Sequence, residues 1–373
     1  MVTQQQPEKQ DDFDVLMHGQ DVSAYAEKCP NCGADLTFDA EAQMLACAFC
    51  NSRIPFEMSR AEEQCFTQLF QKPNEWAAEA AVIQCESCGA KTVISKDELS
   101  KSCAFCGTNK VVDSAEISGH RPNAVLPFKL SFQQASERAR LWAKKKLFAP
   151  KAFKKCASPE DLKGLYSPAF TFSTATRSRY HGRFGRRVMV TRRINGRLTT
   201  VSEMRWFPVN GFIDRWFDEI LIQSSSTIGN RTMAKLGAFD TKSSKKFASE
   251  FLRGYAAEQY ARDGIQCWGD AKSQIEKQIR QEIIRRYQAD QVQFLNISTG
   301  YGQIRHKYVL LPVYVGHFSY KQKLYNFFVN GFSGKVFGKT PKNPVKVAGA
   351  VVLGLALLAG IGFLAYLFMM GGG

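Results

Sequence analysis

The sequence predicts an α+β chain. It has small cysteine-built β modules at the N-terminus, a mixed antiparallel α+β domain in the middle, and one C-terminal apolar helix long enough to cross a membrane. Three observations predict it: four Cys-x-x-Cys pairs before residue 107, alternating strand-like and helix-like segments between about 121 and 340, and an uncharged run from Val347 to Met370.

The pairs are Cys29/Cys32, Cys47/Cys50, Cys85/Cys88 and Cys103/Cys106, and the first two recur in the last two after a shift of 56 residues. Local sequence repeats with them, Cys47-Ala48-Phe49-Cys50 returning as Cys103-Ala104-Phe105-Cys106, so the region is an internal duplication. Two cysteines three apart aim both thiolates at one metal only if the chain turns back tightly. A residue tolerating positive φ just after the second ligand allows that turn. Gly33, Asn51, Gly89 and Gly107 hold those places. Four thiolates per module make a closed structural zinc site, with Leu36–Phe38, Met44–Ala46 and Thr92–Ile94 as short ribbon strands. Two zinc ribbons with one Zn2+ each are expected, the metals having no open position for water or substrate. Disulfides, an iron–sulfur cluster and redox-active pairs are the rival readings, and paired knuckles at ribbon spacing favour zinc. Cys65, Cys156 and Cys267 have no partner at motif spacing and read as small core residues. Thiolate ligands need a reducing compartment, and the polar, acidic residues 1–14 are not a secretory signal, which places the ribbons in the cytosol.

The expected organisation is a flexible acidic N-terminus over 1–26, ribbons over 27–58 and 83–118, a helical linker over 59–82, a basic α+β domain over 119–342 and a transmembrane helix over 346–370. The apolar run holds 24 residues without a charge, Asn, Gln or Pro. At about 1.5 Å per residue it covers about 36 Å, enough for a hydrocarbon core of about 30 Å. Lys335, Lys339, Lys342 and Lys346 precede it and Gly371–Gly373 follow. The positive-inside rule therefore puts the N-terminal bulk on the cytosolic face of the inner membrane, anchored by the C-terminus. Small residues Ala350, Gly354, Ala356 and Gly360 suit close approach of two such helices, the sequence's argument for a homo-oligomer.

Within the basic domain, Ser131 is expected to cap a helix running to about Phe148, and Ser158-Pro159-Glu160-Asp161 to start another. Phe170–Phe172, Arg187–Ile194 and Arg197–Trp206 read as strands, with Asn195-Gly196 as a two-residue hairpin turn between the last two. Ser243–Arg262 and Asp270–Gln288 read as amphipathic helices, the second capped by Asp270. Val292–Asn296, His306–Tyr320, Leu324–Val329 and Lys335–Phe337 read as strands.

Fifty Lys+Arg against 34 Asp+Glu give a formal charge of +16, unevenly placed. Residues 1–120 hold 9 basic and 19 acidic side chains, net −10, leaving net +26 for the rest. Arg177, Arg179, Arg183, Arg186, Arg187, Arg192, Arg193 and Arg197 follow one another without an acid, and Lys144, Lys145 and Lys146 begin a second cluster that includes Lys151, Lys154 and Lys155. Strand alternation puts Arg187 and Arg193 on one face and Arg192 on the other, so these charges cannot all meet one partner. Three readings stand: a solvated basic face, docking on anionic lipid under a nearby anchor, and nucleic-acid binding through Arg mixed with Tyr180, His181 and Phe184.

Five histidines, no His-Glu-x-x-His, no Gly-x-Ser-x-Gly elbow and no Gly-x-x-x-x-Gly-Lys-Ser/Thr loop leave no catalytic motif, and no enzyme is expected. Cys29-Pro30-Asn31-Cys32-Gly33-Ala34, the doubled ribbon, Val125–Phe128, Leu165–Pro168, Leu311–Tyr314 and Val329–Val336 together resemble bacterial membrane-anchored proteins with TFIIB-type zinc ribbons, often labelled primosomal or helicase-like. The resemblance implies zinc at the eight paired cysteines and a cytosolic adaptor role with flotillin-like or envelope-stress partners. It departs at Thr174–Arg179, where the family has an acid-rich segment and this chain has arginines. The expected function is a non-enzymatic scaffold that recruits a protein to the membrane, its basic domain near anionic lipid, with a membrane-tethered nucleic-acid-binding protein as the alternative.

Overall fold

The computed structural model describes residues 28–71, 80–95, 103, 105, 108, 111–114, 120–151, 153, 162–320 and 323–370. In chain order its elements are β1 (Leu36–Asp39), β2 (Met44–Cys47), β3 (Arg53–Ile54), β4 (Gln64–Cys65), β5 (Ala80–Cys85), β6 (Lys91–Ser95), β7 (Val111–Ser114), β8 (Ala124–Val125), α1 (Phe132–Lys144), β9 (Leu162–Ile194) and β10 (Arg197–Gln223). They continue with α2 (Asn230–Leu236), β11 (Lys245–Lys246), β12 (Ala256–Glu258), α3 (Gly264–Arg286), β13 (Gln291–Tyr320), β14 (Lys323–Asn330), β15 (Val336–Gly338) and α4 (Pro344–Met370). The chain is α+β and mostly strand.

The body is organised by β9, 33 residues long, which lies between β10 and β13 and is antiparallel to both. Asn195 and Gly196, at φ 49° and 79°, form the turn joining β9 to β10, since a two-residue hairpin turn of this hand needs left-handed backbone at both places. Residues 162–174 of β9 are buried on both faces except Lys163, so they show no in–out alternation. From Thr176 to Phe184 the even positions are buried and the odd ones exposed. Helix α3 covers the even face: Cys267, Trp268, Ala271, Ile275, Ile279 and Ile283 fall on one side of it at helical spacing and share a core with Tyr180, Phe184, Ile213, Phe217 and Leu295. Strand β13 reaches only as far as Gly185 of β9, so residues beyond it pair with β10 alone and project as a two-stranded ribbon.

Several expectations are corrected. Ser243–Arg262 is not a helix but two 3-10 turns, Thr241–Ser243 and Ser249–Leu252, with the short strands β11 and β12. Phe247, Phe251 and Tyr255 gave it a helical period, yet the backbone of Ala256–Glu258 is committed to β9 and β6, and Gly254 at φ 78° interrupts any helix. Helix α3 starts at Gly264, capped by Asp263, whose carboxylate accepts from the Gln266 amide at 2.8 Å; Asp270 lies about two turns further in and pairs with Arg262. Val292–Asn296 and His306–Tyr320 are parts of one strand, β13. Residues 158–161 lie outside the described residues, and because β9 begins at Leu162 the helix expected to start there does not extend past that point. The described residues of the 59–82 segment hold no α-helix: β4 pairs with Arg305 and His306 of β13, Phe66–Phe70 is a 3-10 turn, and β5 begins at Ala80, while 72–79 lie outside the described residues. The capping box at Ser131, with Gln134, stands as expected, and α1 ends at Lys144.

Candidate metal centres

The first cysteine cluster sits on the small sheet β1–β2–β3, where Leu36 is opposite Cys47. Each knuckle closes the same way. The Gly33 amide donates to the Cys29 carbonyl at 2.8 Å and the Cys29 amide to the Ala34 carbonyl at 2.7 Å; Asn51 and Ser52 repeat the pattern with Cys47 at 3.0 and 2.9 Å. Gly33 and Asn51 have φ 72° and 58°, the left-handed backbone expected of them. The Sγ atoms of Cys29, Cys32, Cys47 and Cys50 lie within 4.8 Å of one another. Two pairs approach to 3.4 Å, far beyond the about 2.05 Å of a disulfide and near the spacing of thiolates around one tetrahedral ion with metal–sulfur bonds of about 2.3 Å.

The electrostatics are compatible with a bound cation. The Ser52 hydroxyl and amide at Cys50 draw its thiol down to about 6. At Cys32 the Ala34 amide pulls the other way from the neighbouring thiols of Cys47 and Cys50, and the thiols win, pushing Cys32 up to about 12. One thiolate forms readily and further ones repel it, so four together need a metal's positive charge.

The second cluster is built on β5 and β6. Cys85, Cys88 and Cys103 have Sγ atoms within 4.8 Å, with Cys88 3.6 Å from Cys103. Gly89, at φ 74°, donates to the Cys85 carbonyl at 2.8 Å, the same knuckle again. Cys106 and Gly107 lie outside the described residues, as does Cys156. Both sets suit a soft, tetrahedral ion such as zinc.

A third cluster escaped the sequence reading: Glu63, Asp218 and Glu219 also have carboxylate oxygens within 4.8 Å. Glu219 lies at a β-bulge with φ 49°, and Lys307 Nζ, 2 % exposed, is 2.6 Å from its Oε1 and 3.0 Å from the Thr241 carbonyl. Lys242 pairs with Asp218. Lys307 and Lys242 each pair with one of these carboxylates and Glu63 accepts from the Ser173 hydroxyl, so this is a largely compensated charge cluster. Its one sequence signal was a lysine, Lys307, standing before the buried run Tyr308–Val315.

The predicted basic residues separate into two places. Arg177, Arg179, His181 and Arg183 point to the open face of the sheet, opposite α3, with Phe212, Trp216 and Phe294 exposed beside them. The Arg179 guanidinium lies 5.9 Å from the Phe212 ring centre. Asp214 holds Arg177 through two hydrogen bonds of 3.0 and 3.1 Å, and Arg192 pairs with Glu203 at 2.8 Å. Arg186 donates to the Tyr287 carbonyl, while Arg187, Arg193 and Arg197 are exposed on the projecting hairpin. Lys144, Lys145 and Lys146 stand elsewhere, at the end of α1 beside the first turn of α4; Lys154 and Lys155 lie outside the described residues. From Leu162, at the α4 end of β9, to Arg177 is about 50 Å of strand at about 3.3 Å per residue, so the two basic regions are not one surface.

Helix α4 has no buried side chain over its candidate span Pro344–Phe363 and is long and apolar enough to cross a membrane. Fold and sites thus define a strand-rich α+β protein with paired cysteine clusters near one terminus and an apolar helix near the other. It is 30% identical over 357 residues to the uncharacterized protein YdjG of Bacillus subtilis (strain 168), covering 93% of this chain and 98% of YdjG, and it belongs to the same family. No family model matches the chain, and no solved structure matches it.

Proposed function

We propose that the protein is a membrane-anchored adaptor: α4 spans the inner membrane, the bulk lies on its cytosolic face, two zinc ions hold the cysteine modules, and the first module recruits a protein partner. The observation that carries this reading is Phe49. It sits between the two cysteines of a knuckle and is 83% exposed, while Phe105, its counterpart in the duplicate, is 1% exposed. A large aromatic held out on a rigid metal knuckle is the kind of anchor that supplies most of the energy in a protein interface. The resemblance offers flotillin-like or envelope-stress proteins as partners to try. The test is capture from solubilised membranes with the full chain and with Phe49→Asp. A partner retained by wild type and lost by the variant at unchanged zinc content is expected; equal retention would remove the recruiting role.

A second reading has its own observation, the arginines and exposed aromatics sharing the open sheet face, where bases would stack on Phe212, Trp216 and Phe294 and phosphates meet Arg179 and Arg183. Binding of single-stranded oligonucleotide that weakens steeply with salt, and is lost in Arg179→Glu/Arg183→Glu, would promote it.

A further inference from the structure

The turn that follows α1 has no role in either reading. Leu147 is 76% exposed and Phe148 41%, and Leu141, one and a half turns earlier on α1, is 43% exposed. Large apolar side chains in this short stretch face outward while Ala143, Ala149 and Phe153 behind them are buried with Trp142 and Phe318. Lys144, Lys145, Lys146 and Lys151 surround them, and Lys146 Nζ lies 4.8 Å from the Trp142 ring centre.

The turn is tied to the start of the apolar helix. Lys346 Nζ donates to the Ala149 carbonyl at 3.0 Å and to the Leu147 carbonyl at 3.5 Å, and the Asn343 amide donates to the Phe148 carbonyl at 2.7 Å. The uninterrupted apolar sequence begins at Val347. Whatever depth the hydrocarbon boundary takes on α4, residues 147–149 are held at the level of the residue just before it. Apolar side chains ringed by lysines at that level match an anionic leaflet in both layers, acyl chains for the first and headgroups for the second.

We propose that residues 141–151 form an interfacial foot. Leu147 and Phe148 enter the acyl boundary of the cytosolic leaflet, and Lys144, Lys145 and Lys146 bind anionic phospholipid headgroups, fixing how the body stands on its anchor. This rests on the reading of α4 as a membrane span. It moves the lipid contact away from the arginines of β9 to the end of the molecule where β9 begins.

The test uses the full chain in nanodiscs of phosphatidylcholine, alone or mixed with phosphatidylglycerol, with Leu147→Trp as reporter and wild type as the blank. The added tryptophan emission is expected to shift to the blue and to fall about twofold with lipids brominated high on the acyl chain, as for a side chain buried about 5–10 Å into the interface. Lys144→Glu/Lys145→Glu/Lys146→Glu on that background should remove the part of the effect that depends on phosphatidylglycerol, since each lysine near an anionic surface contributes on the order of fivefold in binding. An added emission indifferent to brominated lipid, in protein that resists alkaline extraction from membranes, overturns the foot and leaves the span standing. Protein released by alkali overturns the span, and the foot with it.

Discussion

The two cysteine modules descend from one sequence and do different structural work. The first is a separate three-stranded sheet that rests on the body mainly through side chains: Phe38 packs on Phe251 at 5.2 Å and Tyr255 at 6.4 Å, Gln43 donates to the Phe128 carbonyl at 2.7 Å, and the Phe38 amide donates to the Arg253 carbonyl at 3.0 Å. The second is woven into the main sheet, because β6 pairs with β12, which pairs with β9. Phe49 on the first faces solvent and Phe105 on the second is core. A duplicated cysteine module thus supplies one copy as a wall of the fold and leaves the other free to present a surface.

The largest expected effect breaks this comparison at the metal. A structural zinc contributes roughly 10–16 kcal/mol to folding of its module. Cys85→Ser should therefore free the edge of the main sheet, and limited proteolysis should cut the body as well as the module. Cys29→Ser should release one zinc and let proteolysis remove only residues up to about Ile54, leaving the body intact. Equal damage from both substitutions would mean the modules are energetically alike. Next in size, Phe105→Ala should cost about 3–5 kcal/mol by chemical denaturation, the usual loss for a fully buried aromatic, while Phe49→Ala should stay within about 0.5 kcal/mol.

Between the modules, β4 pairs with β13 at His306, a joint that acid should open. Burial, with the nearby charge of His120 second, lowers His306 to about 4 from an ordinary 6.5. Below pH 6.5 the unfolded chain takes up a proton that the folded one refuses. Stability is therefore whole above pH 6.5 and falls as pH drops toward 4, by about 3 kcal/mol over the full interval. His306→Gln should flatten that part of the stability profile; an unchanged slope would assign the acid sensitivity elsewhere.

What the sequence reveals follows from how local the determinant is. The three described knuckles, the Asn195-Gly196 turn, the Ser131 cap and the apolar helix rest on local sequence, and each is found where expected. Strand β9 was legible only in pieces, Phe170–Phe172 and Arg187–Ile194, because Leu162–Thr174 is covered on both sides and loses its alternation and the arginines that follow read as a charge run. The 243–262 stretch misled because Phe247, Phe251 and Tyr255 reach the core at helical spacing from a backbone of 3-10 turns and short strands. Attachment of the second module to the body rests on β12, three residues long, which no local pattern announces. The position of Lys144–Lys146 beside α4 rests on hydrogen bonds nearly 200 residues apart in sequence.

The smallest prediction sharpens the comparison at the turns themselves. Gly33 and Gly89 occupy equivalent places with φ 72° and 74°, and a Cβ at either would meet no atom within 4 Å. The cost of alanine there is thus backbone strain alone, about 1–2 kcal/mol, and should be alike in the two modules. It should register differently. At Gly89 the strain reaches the main sheet through β6 and lowers the midpoint of global unfolding, whereas at Gly33 it weakens zinc retention by the first module without moving that midpoint. Asn51 is the internal control: its φ of 58° is already borne by a side-chain residue, so Asn51→Gly should leave zinc retention unchanged or improve it slightly. Competition with a chelator, read as the rate of zinc loss, separates these cases. Gly33→Ala and Gly89→Ala that lower the global midpoint equally would place the first module in the same cooperative unit as the body.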